Sequence, residues 1–130
     1  MPVKTFQIGS PRGSREGLRI GAVRFLPRGV RKQDYARRDL FDIWFPMLAP
    51  SRKLLRTLKS KDFSAAVRKS FFARYKKEML ASTDAKQAIE LLARLGKRTD
   101  ISVGCYCADE HMCHRSVLHA LIRRAARKRM

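Results

Sequence analysis

Acidic residues are scarce in this chain: 11 Asp and Glu stand against 30 Lys and Arg in 130 residues, a formal net charge of +19. That imbalance is extreme for a small enzyme and calls for polyanionic partners, either nucleic acid or a phosphorylated or other anionic small molecule. Long apolar runs are missing as well. No stretch of about twenty apolar residues occurs, which excludes a membrane-spanning helix, and no membrane partner is expected. The segment Met1–Gly9 has no apolar block of the kind a secretion signal carries, so the expected location is cytoplasmic. Tryptophan is limited to Trp44, and no stretch interleaves aromatic with basic residues, so the linear sequence offers no base-stacking platform. Cysteine is limited to 3. In a reducing compartment an odd, clustered set reads as thiols, metal ligands or redox groups rather than as a structural disulfide. Internal repeats and low-complexity linkers are absent, and the length supports a single domain over 1–130 whose basic end spans 123–130.

What is present is a mixture of strand and helix signals. Thr5–Ile8 is a short strand candidate, closed by the turn-rich run Gly9–Gly17. Leu18–Leu26 alternates as a strand does and stops at Pro27-Arg28-Gly29. Residues 30 to 50 are ambiguous, with Leu40–Phe45 strand-like before Pro46 and Pro50. Ser51 is a plausible N-cap for a short helix bearing Leu54, Leu55 and Leu58. Asp62 is the expected cap of a second helix with Phe63, Val67, Phe71, Tyr75 and Met79 at spacings of four, a stripe that reads as core rather than as a cofactor box. Ser82, Thr83 or Asp84 caps a third, burying Ala85, Ala88, Ile89, Leu92 and Leu95, with Gly96 in the C′ position. The near-continuous apolar run Ile101–Cys107 suits a central strand buried on both faces. A last helix buries Val117, Leu118, Leu121, Ile122 and Ala125. The expected fold is α/β: one layered domain with a small, mostly parallel sheet and helices packed on it.

All three cysteines and two of the three histidines fall between Ile101 and Leu118, in a strand, a loop and a helix N-terminus. First-turn amides and the helix dipole make such a junction a natural place for an anion or a reactive thiol. Three chemistries compete there. An anion pocket would use Arg115 and the helix N-terminus on one side and Arg24, Arg28 and Gly29 on the other, with His114, Cys113 or Asp109 as the catalytic group. A low-pKa thiolate at Cys113 or Cys107 resembles the logic of cysteine phosphatases and sulfurtransferases; about five residues separate cysteine from arginine in their loops, against seven between Cys107 and Arg115. Zinc would take Cys105, Cys107 and Cys113 with His111 or His114, although paired knuckles are lacking. Cys105, deeper in the strand, reads as packing, and His119 as a satisfied histidine. Without function, His114 and Asp109 would cap the helix. A nucleic-acid module would use the basic loop 12–19, the segment 28–38 and, on the last helix, Arg123, Arg124, Arg127 and Lys128. No cofactor is expected.

Beyond these patterns, Gly17-Leu-Arg-Ile, Arg24-Phe-Leu-Pro-Arg-Gly-Val, Trp44, Pro50-Ser51, Leu55, Phe71-Phe-Ala-Arg-Tyr75, Cys107-Ala-Asp and Cys113-His-Arg-Ser together resemble the uncharacterised YeaO-like family of small bacterial proteins, domain of unknown function 488. The resemblance runs through most of the chain from Gly17 onward. It implies a compact α/β fold and a bacterial or archaeal cytoplasmic protein, and it implies no activity. Short members of the family usually carry tryptophan where Leu26 stands; longer ones carry the Cys-His-Arg run after a longer gap. The resemblance adds that Arg24, Arg28 and Gly29 belong with Cys113, His114 and Arg115, which a parallel sheet could bring to one edge.

Overall fold

The computed structural model describes residues 3–57, 64–106 and 113–128. Asp62, Cys107, Asp109, His111 and the side chain of Lys128 lie outside the described residues. Four strands, β1 (Val3–Gln7), β2 (Leu18–Gly21), β3 (Ile43–Trp44) and β4 (Ile101–Cys105), form one sheet in the order β1-β4-β2-β3. Every pairing is parallel. The apolar run at Ile101 sits inside the sheet between β1 and β2, and all five β4 residues are buried, as its composition predicts. The strand read over 18–26 is shorter than its alternation suggests: the ladder ends at Gly21, and one further amide, that of Ala22, still reaches Gly104 O at 3.0 Å.

Three of the helices begin where a serine supplies the missing acceptor. Ser51 Oγ accepts from Leu54 N at 3.1 Å at the start of α1 (Arg52–Arg56), and Ser82 Oγ from Ala85 N at 3.1 Å at the start of α3 (Thr83–Leu95). The cap of α2 (Ala65–Ala81) is Ser64, which accepts from Val67 N at 3.2 Å, rather than the expected Asp62. Gly96 does end α3, yet with φ −63° it stays right-handed, its amide bonding Leu92 O at 2.9 Å. The long helix α4 (His114–Lys128) follows β4.

Two cores result. The first joins Val3, Ile20, Ile101 and Val103 of the sheet to Phe71, Tyr75 and Met79 of α2, Ala88, Ile89 and Leu92 of α3 and Leu118 and Ile122 of α4. The period-four stripe on α2 is therefore core, as its spacing implies. The second gathers Phe6, Ile8, Val23, Phe41, Cys105 and Cys113. Register explains it: Phe6, Gly104 and Gly21 stand side by side across three strands. Hydrogen at Gly104 and Gly21 leaves room for the flat faces of Phe6 and Phe41, which a Cβ at either glycine would strike.

One buried cation holds the turn-rich segment in place. Arg19, on β2, is 0% exposed and stacks on Phe6, its guanidinium carbon 4.4 Å from the ring centre. Its donors reach Glu16 Oε1 at 2.7 Å and the carbonyls of Ser10, Pro11 and Asp39 at 3.0, 3.2 and 3.2 Å. Burial works to raise the Glu16 pKa, but the bonds from Arg19 and Gly13 outweigh it and hold the carboxyl below its ordinary range. Arg12 bonds Asp39 and Asp42 on the same segment.

Candidate functional site

Because all four strands are parallel, their carboxyl ends share one edge, where ligands of open α/β sheets bind. The N-terminus of α4 opens at that edge. Cys113 immediately precedes α4 and is 3% exposed; its carbonyl accepts from Ser116 N at 3.2 Å and Ser116 Oγ at 2.9 Å. Its sulfur lies against that of Cys105, at the end of β4, while the two Cα atoms stand 7.5 Å apart, beyond the span of a relaxed disulfide. The two sulfurs are thus neighbours across the end of β4 and the start of α4.

The two neighbours of Cys113 serve the sulfurs differently. Arg115 is 4% exposed and extends Nη1 to within 3.4 Å of Cys105 Sγ. A guanidinium at that distance favours sulfur as thiolate. His114 sits 2.7 Å from the Ala22 carbonyl through Nε2 and 3.5 Å from Cys113 Sγ through Nδ1, its ring edge-on to Tyr75. Since a carbonyl can only accept, Nε2 carries the proton, and Nδ1 turns a lone pair toward Cys113. Burial, helped by the nearby Arg115 charge, pulls the His114 pKa down to about 4, against the smaller opposing effect of the Ala22 bond. The ring is neutral at physiological pH, and in the reduced chain its Nδ1 can accept from a Cys113 S–H.

Cys105, Cys113 and His114 also bring three ligand atoms within 4.8 Å of one another. The donor types suit zinc. The surroundings do not: the Arg115 cation already occupies the environment of Cys105 Sγ, where a divalent ion would meet repulsion. All three belong to the zinc set read from the sequence, whose other members, Cys107 and His111, lie outside the described residues.

The other predicted residues are distributed more widely. Arg24 bonds the carbonyls of Pro50 and Ala49, both at 3.2 Å, and lines an open groove with Glu78 and Asp84. Arg28 is exposed, and Gly29, at φ +82° in open space, serves the turn. Arg123, Arg124 and Arg127 are exposed on α4. His119 is satisfied by the Val3 carbonyl at 2.8 Å, as expected. The sequence reads Cys105 as packing or as a zinc ligand; its place beside Arg115 escapes it, because nine residues lie between them and only the fold closes that gap. Ala22 acts through its carbonyl, which leaves no mark on residue type.

No curated protein and no solved structure matches the chain. A family model described as "Active DUF488-N3 subclade" matches residues 3–126, almost the whole length. The chain therefore belongs to the DUF488 family.

Proposed function

We propose that this protein is a cysteine-dependent enzyme acting on an anionic substrate, with Cys105 as the thiolate and Cys113 as the resolving thiol. The observation that carries the reading is the buried Arg115 guanidinium 3.4 Å from Cys105 Sγ, with Cys113 Sγ adjacent to the same sulfur. In the reduced chain the cation makes Cys105 the more acidic thiol, while Cys113 keeps its proton, donated toward His114 Nδ1. The Cys105 thiolate displaces a leaving group from the substrate, and Arg115, with the α4 amides, receives the substrate's negative charge. Where the adduct is a mixed disulfide, Cys113 attacks Cys105 Sγ and expels the substrate as a thiolate. The protein is then oxidised by two electrons, and the substrate is reduced by two. The word "active" in the description of the matching subclade agrees with a catalytic role.

Anion preference and thiolate character can be read together. Alkylation of the reduced chain by anionic iodoacetate should be fast relative to neutral iodoacetamide when compared with free cysteine, and inorganic phosphate should slow it. Arg115→Met should bring the ratio back to that of free cysteine and raise the apparent thiol pKa toward the ordinary value of about 8.5. A wild-type ratio equal to that of free cysteine would sink the proposal.

A further inference from the structure

We infer that Phe25 and Tyr106, with Arg52, form a docking rim for single-stranded nucleic acid beside the sulfur site. Both rings are open to solvent, Phe25 at 51% and Tyr106 at 42%. They come from the two strands that carry the site: Tyr106 follows Cys105, and Phe25 lies three residues after Ala22, on whose carbonyl His114 rests. Tyr106 Oη donates to the Phe25 carbonyl, tying the two segments together so that the rings are held at the surface rather than drawn into the core. The Arg52 guanidinium lies over Phe25, 5.2 Å from the ring centre.

Charge selects the occupant. Between residues 24 and 38 there are six cations, Arg24, Arg28, Arg31, Lys32, Arg37 and Arg38, and one acid, Asp34, already bonded to Arg31 and Arg37. Residues 52–56 add Arg52, Lys53 and Arg56 with no acid. Aromatic faces among uncompensated cations are the chemistry that holds single strands, whose bases stack while the phosphates meet the charges. A duplex hides its base faces, and polyphosphate has none. The exposed Arg124 of α4 lies instead in a groove with Leu80 and Leu121, which have no π face. A bound strand would offer the sulfur site a phosphate-bearing nucleotide. That it is the substrate rests on the thiol reading above; the binding does not.

The test is fluorescence anisotropy on the reduced full chain with oligodeoxyuridylate and oligouridylate of about twelve nucleotides, beside a duplex and inorganic polyphosphate. Phe25→Ala should weaken single-strand binding by about 5- to 100-fold, the loss of one stacked base. Phe25→Trp should restore it, polyphosphate binding should stay as in wild type, and Cys113→Ser should bind the strand normally. Tighter binding of either oligonucleotide supports the proposal and names the sugar. Unchanged binding in Phe25→Ala, equal binding of duplex and single strand, or a loss confined to the Arg123→Ala, Arg124→Ala, Arg127→Ala triple variant would overturn it. Alkylation ratios on the same variants keep the two readings separate, since Phe25→Ala leaves the sulfurs and Arg115 untouched.

Discussion

His114 links the site to the stability of the fold through pH. Its folded pKa of about 4 lies below the ordinary 6.5, so folding selects the neutral ring, packed against Tyr75, Cys113 and Arg115. The stability this contributes is complete above pH 6.5 and is lost as pH falls through 6.5 toward 4; its full size is on the order of 3 kcal/mol. Denaturant titrations across that window should show wild type losing more stability than His114→Gln, whose amide can still donate to Ala22 but does not titrate. Equal losses would mean that the ring is not buried in its neutral form. Glu16 acts in a lower window: its depressed pKa adds stability above the ordinary 4.5 that disappears only under stronger acid. The two groups can therefore be told apart by where their losses begin.

Strand β4 ties the core to the chemistry, because Gly104 seats Phe6 and the next residue is Cys105. A methyl group at 104 must displace the ring or bend the strand. Gly104→Ala should cost about 1–3 kcal/mol, the usual penalty of overpacking, measured as a lower denaturation midpoint, and should slow iodoacetate alkylation by moving the Cys105 sulfur from Arg115. Full stability in that variant would contradict the packing described. The glycine could be seen in the sequence, but its reason could not: it answers to Phe6, nearly a hundred residues away. Helices were more legible. The stripe at Phe71, Tyr75 and Met79 and the Ser51 and Ser82 caps are local signals acting over one or two turns. The start of α2 was misread because Asp62 and Ser64 are both good caps, and nothing within one turn chooses between them.

A net charge of +19 repels itself in the compact state, and 11 acids cannot offset 30 cations. Thermal stability should therefore rise with ionic strength, and more with sulfate or phosphate than with chloride, if anions also occupy the cationic edge. Melting temperatures measured across salt series would reveal this; a flat response would show that the charges are too dispersed to matter. The distribution of cations is uneven in its consequences. Arg19 is sealed inside as a structural clamp, Arg24 is spent on backbone carbonyls, Arg115 faces sulfur, and Arg28 and Arg52 remain at the surface.

By itself the sequence determined the fold class, most helices, the burial of β4, the charge and the strand–loop–helix stretch that holds the site. These rest on periodicity, capping and composition, which are properties of neighbouring residues. Tertiary structure decided the strand order, the pairing of Cys105 with Cys113, the approach of Arg115 to Cys105, the Ala22 carbonyl that selects the His114 tautomer, and the meeting of Phe25 with Tyr106. Each depends on parallel strands far apart in sequence ending at one edge, and long-range pairing leaves no local pattern in the chain.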